Sequence, residues 1–130
     1  MTEEPLKILV VEDEEDIAHF TCKILEREGF VAFKALDGAT ALEFFEKEHP
    51  HILVLDLDLG YSKIDGIDVL EKIKKEDSSV ECIMITRVTE EEMKARVREL
   101  GVEVYLNKPL YPADWLPKVH EAAQKVRERG

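Results

Sequence analysis

The chain has 130 residues, 45% hydrophobic and 36% charged, and 29 acids against 18 bases give a formal net charge of −11. This length and balance suit one globular domain with a sizeable core and argue against disordered and membrane classes. The negative charge repels a phosphate backbone, so proteins, cations and small molecules are the expected partners, without direct nucleic-acid binding.

The tail Met1 to Pro5 is acidic and lacks the apolar run of a signal peptide, and no stretch approaches membrane-spanning length. A cytoplasmic domain filling residues 1–130, without membrane insertion, is expected. Leu6 to Val11 reads as a buried strand ending on the acids Glu12 to Asp16. From about Glu14 to Glu28 the apolar positions Ile17, Phe20, Ile24 and Leu25 recur at helical spacing, and Gly29 stands where a left-handed C-terminal cap belongs. Phe30 to Leu36 is a second strand closed by Asp37-Gly38, and Ala39 to Glu48 returns to helical periodicity through Ala41, Leu42 and Phe45. Pro50 stops that helix.

The third strand, Ile52 to Leu55, is four apolar residues ending abruptly on Asp56, as in a strand buried on both faces. A polar segment follows to Gly66, then a helix through Ile67, Leu70 and Ile73 to Glu76. Cys82 to Ile85 is a fourth strand ending on Thr86, and Thr89 with Glu92 three residues on predicts a capping box for the next helix, which Gly101 ends. Val102 to Leu106 is a fifth strand leading into Asn107-Lys108-Pro109. The last helix carries Trp115, Leu116, Val119 and Val126 along one side, with Asp114 as candidate N-cap and Pro117 tolerated early. Cys22 and Cys82 have no ligand-type spacing and read as buried apolar residues in a reducing compartment.

Five continuous apolar strands alternating with five helices predict an α/β domain with a parallel sheet covered on both faces. In such a sheet the residues following each strand meet at one rim. Here these are Glu12, Asp13, Asp56, Thr86 and Lys108. Taken singly, the acids after the first strand serve equally well as helix caps, the threonine as a cap, and the lysine as a solvated cation. Taken together, three carboxylates repel, by roughly 4 kcal/mol for two charges about 4 Å apart at an effective dielectric near 20. A hard divalent cation offsets this, and Mg²⁺ suits a few carboxylates, a carbonyl and retained waters. Acids, a cation, a lysine and a hydroxyl are what phosphoryl transfer to a carboxylate requires. Asp56 is the best nucleophile and Asp13, with Glu12 through water, the metal anchor.

These residues, in the runs Ile8 to Glu14, Val54-Leu55-Asp56, Ile83 to Thr86 and Gly101 to Pro109, resemble the receiver domain of two-component response regulators over nearly the whole chain. The resemblance implies a flavodoxin-like (βα)5 fold with strand order 2-1-3-4-5. It also implies a phosphorylation-dependent switch or phosphorelay intermediate that is not an enzyme beyond its own phosphotransfer and autodephosphorylation. Asp56 would accept a phosphoryl group from a sensor histidine kinase or histidine phosphotransfer protein. Mg²⁺ or Mn²⁺ would be held by Asp13, Asp56 and the backbone carbonyl of Asp58. Thr86 and Lys108 would bind phosphoryl oxygens, and Tyr105, otherwise a half-buried strand tyrosine, would be the switch aromatic. Its rotation would reshape the face of the fourth helix, fifth strand and fifth helix for a downstream protein. A stand-alone receiver is the leading expectation; no output domain follows Arg127 to Gly130, so either the natural protein stops here or this chain is a piece of something longer.

Two departures stand out. Gly60 replaces the family's usual proline, and the loop through Tyr61, Ser62 and Lys63 is about two residues longer than usual. Glycine adds backbone states, so the loop is expected to be more mobile. Arg87 occupies a position usually held by a small residue; its guanidinium either points to solvent or lies over the site and pairs with Asp58 or the phosphoryl group. By resemblance, Asp58 tunes the lifetime of the phosphorylated state. Two rivals differ in class: a phosphatase of the haloacid-dehalogenase type, which shares the Asp56-Leu57-Asp58 form, and a receiver-like docking module that is never phosphorylated. Turnover of a phosphomonoester favours the first, and absence of labelling the second.

Overall fold

The computed structural model describes residues 4–60 and 65–129; the loop residues Tyr61, Ser62 and Lys63 lie outside them. The strands are β1 (Lys7–Val11), β2 (Val31–Ala35), β3 (Ile52–Leu55), β4 (Glu81–Thr86) and β5 (Val104–Asn107). The helices between and after them are α1 (Glu15–Arg27), α2 (Gly38–Glu48), α3 (Gly66–Glu76), α4 (Glu91–Glu99) and α5 (Pro112–Arg129). All strand pairs are parallel and the order is β2-β1-β3-β4-β5, the flavodoxin-like arrangement.

β3 is apolar and buried throughout, and β1 and β4 nearly so, because both sheet faces are covered, whereas the edge strands β2 and β5 are largely half-buried. Alternate residues of β1 serve opposite cores. Leu9 and Val11 join Leu53, Leu55 and Met84 under α2 and α3 with Phe45, Leu70 and Ile73. Ile8 and Val10 join Ile52, Val54 and Ile83 under α1 and α5 with Leu25, Trp115 and Val119. Cys82 and Cys22 are free and buried in these two different cores, so they cannot meet across the sheet.

Helix boundaries correct the sequence reading in four places. The buried stripe of α1 is Ala18, Cys22 and Leu25, and Phe20, expected inside, is 57% exposed because it lies nearly half a turn away from that stripe. Thr89 and Glu92 do not box α4, which starts at Glu91 with Glu90 as N-cap and no side-chain cap bond. Asp114 is not the cap of α5: the helix starts at Pro112, and the Asp114 carboxylate accepts the Tyr111 N–H at 2.8 Å from within the first turn. β5 begins at Val104 rather than Val102. By contrast, α3 has a complete capping box, Asp65 with Asp68, one residue before the helix read from periodicity.

Candidate functional site

In the sheet order, β1 lies between β2 and β3, so successive connections depart in opposite directions and leave a crevice beyond the carboxyl ends of β1 and β3. Val11 is level with Leu55, and Asp56 donates its N–H to the Val11 carbonyl at 3.1 Å. The side chains of Glu12 and Asp56 therefore emerge next to one another at this crevice. Among the described residues, the buried polar or charged side chains are Glu12, Asp56 and Thr86, all at strand ends of this one rim. Burying charge is costly unless it is paired. Lys108 pairs with both acids, donating from Nζ to Asp56 Oδ2 at 2.8 Å and making a very close contact with Glu12 Oε1.

Burial alone would lower the Lys108 ammonium, but the Asp56 and Glu12 carboxylates outweigh it and hold Lys108 above the ordinary lysine range. Burial pushes the Glu12 carboxyl up, against the opposing pull of Lys108 and of the Glu14 N–H, which donates to Glu12 Oε2 at 3.1 Å. Glu12 and Asp13 are not side-chain caps of α1, whose N-cap is Glu14 with no side-chain cap bond. Capping of α1 therefore does not account for the placement of these acids. Ligand oxygens of Glu12, Asp13 and Asp56 all lie within 4.8 Å of one another. Hard oxygen donors in that grouping, with Asp13 exposed and open to water, fit a divalent cation of the Mg²⁺ type.

The backbone holds Asp56 from the other side. Asp58 donates its N–H to Asp56 Oδ1 at 3.0 Å, and Gly66 donates to the Leu57 carbonyl at 3.0 Å. A Cβ on Gly66 would lie 2.2 Å from the Asp56 carbonyl oxygen, so only glycine lets α3 start against the Asp56 backbone. Asp58 is exposed and its carboxylate accepts the Gly60 N–H at 3.0 Å. Gly60 has φ +68°, a conformation closed to proline, and a Cβ there would stand 2.9 Å from Asp13 Oδ2. The departure at Gly60 thus bears directly on the acidic cluster.

Thr86 is fully buried at the end of β4, and its Oγ1 accepts the Val88 N–H at 3.3 Å, leaving the hydroxyl proton to be donated elsewhere. Tyr105 is half-buried on β5 and donates its hydroxyl to the Val88 carbonyl at 2.6 Å. Burial, with Glu90 and Asp56 nearby, raises its phenol above the ordinary value, so it remains a donor at neutral pH. Asn107, which had no role in the sequence reading, donates to the Val88 carbonyl at 3.1 Å and to the Thr86 carbonyl at 3.3 Å. Its targets are backbone atoms some twenty residues away, and no local pattern signals them. Arg87 is exposed and lines a groove of about 400 Å³ that opens from Asp56 and Lys108 between α1 and α5, floored by Ile17, Phe20 and Trp115.

A family model described as the response regulator receiver domain matches residues 8–120. Among curated relatives, the probable transcriptional regulator ycf27 of Porphyridium aerugineum is 34% identical over 120 residues, 92% of this chain and 49% of that protein. The sporulation initiation phosphotransferase F of Bacillus subtilis is 32% identical over 103 residues, 79% of this chain and 82% of that protein. The chain spans about half the length of the transcriptional regulators it matches first. Among solved structures, a CheY-like response regulator receiver domain protein from Methanospirillum hungatei superposes with a TM-score of 0.90 at 28% identity, covering 97% of this chain and 99% of that one.

Proposed function

Because the chain belongs to the response regulator receiver domain family, we propose that it is a phosphorylation-dependent signalling switch with Asp56 as phosphoacceptor. The observation that carries this reading is the confinement of the buried Glu12, Asp56 and Thr86 to one rim, with Lys108 balancing two of them. Polar burial of this kind adds little to stability. It makes chemical sense as a preorganised site.

Asp13 and Asp56, with Glu12 through water and the Asp58 backbone carbonyl, would hold Mg²⁺ or Mn²⁺, which supplies charge neutralisation between the carboxylate and an incoming phosphoryl group. Asp56 is fixed for attack, one oxygen on Lys108 and the other on the Asp58 N–H. A carboxylate oxygen forms the new O–P bond as the P–N bond of a phosphohistidine breaks. The electron pair leaves with the imidazole, which takes up a proton. Lys108 follows the charge onto a phosphoryl oxygen, and the spare Thr86 proton is donated to another. Asp58 and Arg87, at the edge of the site, modulate how long the acyl phosphate lasts.

The donor is a sensor histidine kinase or histidine phosphotransfer protein, and the output is a downstream protein reading the face of α4, β5 and α5 as Tyr105 changes position. Two free cysteines in separate cores suit the reducing cytoplasm. No helix among the described residues is long and apolar enough to cross a membrane. The test is intact-mass measurement after incubation with a small acyl phosphate and Mg²⁺. One transient phosphoryl adduct is expected on the parent chain and none on Asp56→Ala; an unmodified parent would remove the reading.

A further inference from the structure

We infer that Asn107 is a positioning residue for phosphoryl transfer, acting through the turn after β4 on Thr86; this rests on the reading of Asp56 as phosphoacceptor. Asn107 ends β5 level with Thr86 of β4. Its side-chain nitrogen faces two backbone carbonyls, Thr86 at 3.3 Å and Val88 at 3.1 Å. Two acceptors fix the orientation of the amide, since the reverse flip would set its oxygen against both carbonyls. The peptide lying between those two pinned carbonyls is the one that bears the Val88 N–H. That N–H is the group donating to Thr86 Oγ1 at 3.3 Å.

The consequence concerns the direction of one proton. A threonine hydroxyl readily donates to nearby backbone when it can, in competition with any other acceptor. With Oγ1 already accepting from Val88, and the turn carbonyls occupied by Asn107 and by the Lys108 N–H at 2.9 Å from the Thr86 carbonyl, the hydroxyl proton is kept for a ligand. The Val88 carbonyl has a second donor in the Tyr105 hydroxyl at 2.6 Å. Tyr105 can therefore leave that carbonyl without orphaning it. Asn107 keeps the Thr86 geometry independent of where Tyr105 stands.

The experiment follows labelling of the whole chain by acetyl phosphate at varied donor and Mg²⁺ concentrations, read by intact mass, with the fold of each variant checked by circular dichroism. Asn107→Ala, and the equally sized Asn107→Asp, which lacks the donor, are expected to slow the maximal labelling rate about fivefold, the loss of roughly one neutral hydrogen bond. The half-saturating concentrations of donor and Mg²⁺ should stay at parental values. In a Thr86→Ala background the same substitutions should change the rate less than about twofold, because interacting residues are not additive. Parental maximal rates in both variants, or an undiminished fivefold loss without Thr86, would overturn the inference while leaving the phosphoacceptor reading intact. A parent chain that takes no label would overturn both.

Discussion

At the amino rim of the sheet, Arg129 donates to the Ser79 carbonyl at 2.7 Å and pairs with Glu81, Lys7 pairs with Glu48 at 3.4 Å, and His51 Nδ1 accepts the Lys7 N–H at 3.0 Å. At the carboxyl rim, Lys108 alone faces Glu12 and Asp56, with Asp13 beside them. The same strands in the same register thus end in two electrostatic regimes. Polar groups at the amino rim are partly solvated and tied to backbone or to one partner each. At the carboxyl rim Glu12 and Asp56 are buried with Asp13 exposed beside them, and these three acids face one lysine. The first arrangement closes a structure, whereas the second leaves an excess of carboxylate, as the proposed cation and phosphoryl site requires.

That contrast is open to measurement. The largest effect is expected for Lys108→Ala, which leaves Glu12 and Asp56 buried without a cation and should cost about 3–5 kcal/mol in urea unfolding. Added Mg²⁺ should return more stability to this variant than to the parent; equal gains would erase the distinction between the rims. Next comes Gly66→Ala, whose Cβ would stand 2.2 Å from the Asp56 carbonyl oxygen, at about 3 kcal/mol. Gly29→Ala and Gly101→Ala, with nothing within 4 Å but φ of +94° and +89°, should cost about 1–2 kcal/mol. If all three glycines respond alike, packing against the Asp56 backbone is not what distinguishes Gly66.

A smaller loss, about 1 kcal/mol at neutral pH, is expected for Asp37→Ala, which removes the N-cap bond from Thr40 N–H to Asp37 at 2.7 Å. That N–H holds the Asp37 carboxyl below its ordinary value of 3.8. The contribution is therefore complete above that value and fades as pH falls through the lowered one, so the unfolding curves of parent and variant should converge in acid. Arg129→Ala should be the mildest, below about 1 kcal/mol and weaker still in high salt, since the arginine side chain is 48% exposed. A cost equal to that of Lys108→Ala would make the amino rim as dependent on its charges as the site.

Much of this was legible because its causes are local. Runs such as Ile52 to Leu55 announce strands buried on both faces, and parallel topology then forces their last residues together, which is how Glu12, Asp13, Asp56, Thr86 and Lys108 could be grouped before any coordinates. Asp37 shows the limit of that logic. It too is an acid following a strand, yet it caps α2, and only the neighbouring strand end decides between the two fates. Phe20 was misplaced because Ile17, Phe20 and Ile24 make as good a helical stripe as the buried Ala18, Cys22 and Leu25. The α4 cap failed for a different reason: Thr89 sits in a turn whose carbonyls and amides answer to Thr86, Tyr105 and Asn107. The roles of Asn107 and Gly66 depend on backbone atoms brought near by the fold, which residue identity alone does not report.

The tightness of Gly66 against Asp56 has a mechanical side. With the space of a single methyl group missing between them, and the Gly66 N–H bonded to the Leu57 carbonyl, the start of α3 has no clearance to slide past Asp56. By contrast, α4 starts at Glu91 after Glu90 as N-cap, without a side-chain cap bond, and has one buried residue, Val97. Asp56 is therefore packed without clearance against the start of α3, while α4 is anchored by a single buried side chain. Any shift of the Asp56 backbone toward α3 meets atoms already in contact, so the start of that helix can move only together with the strand end it abuts.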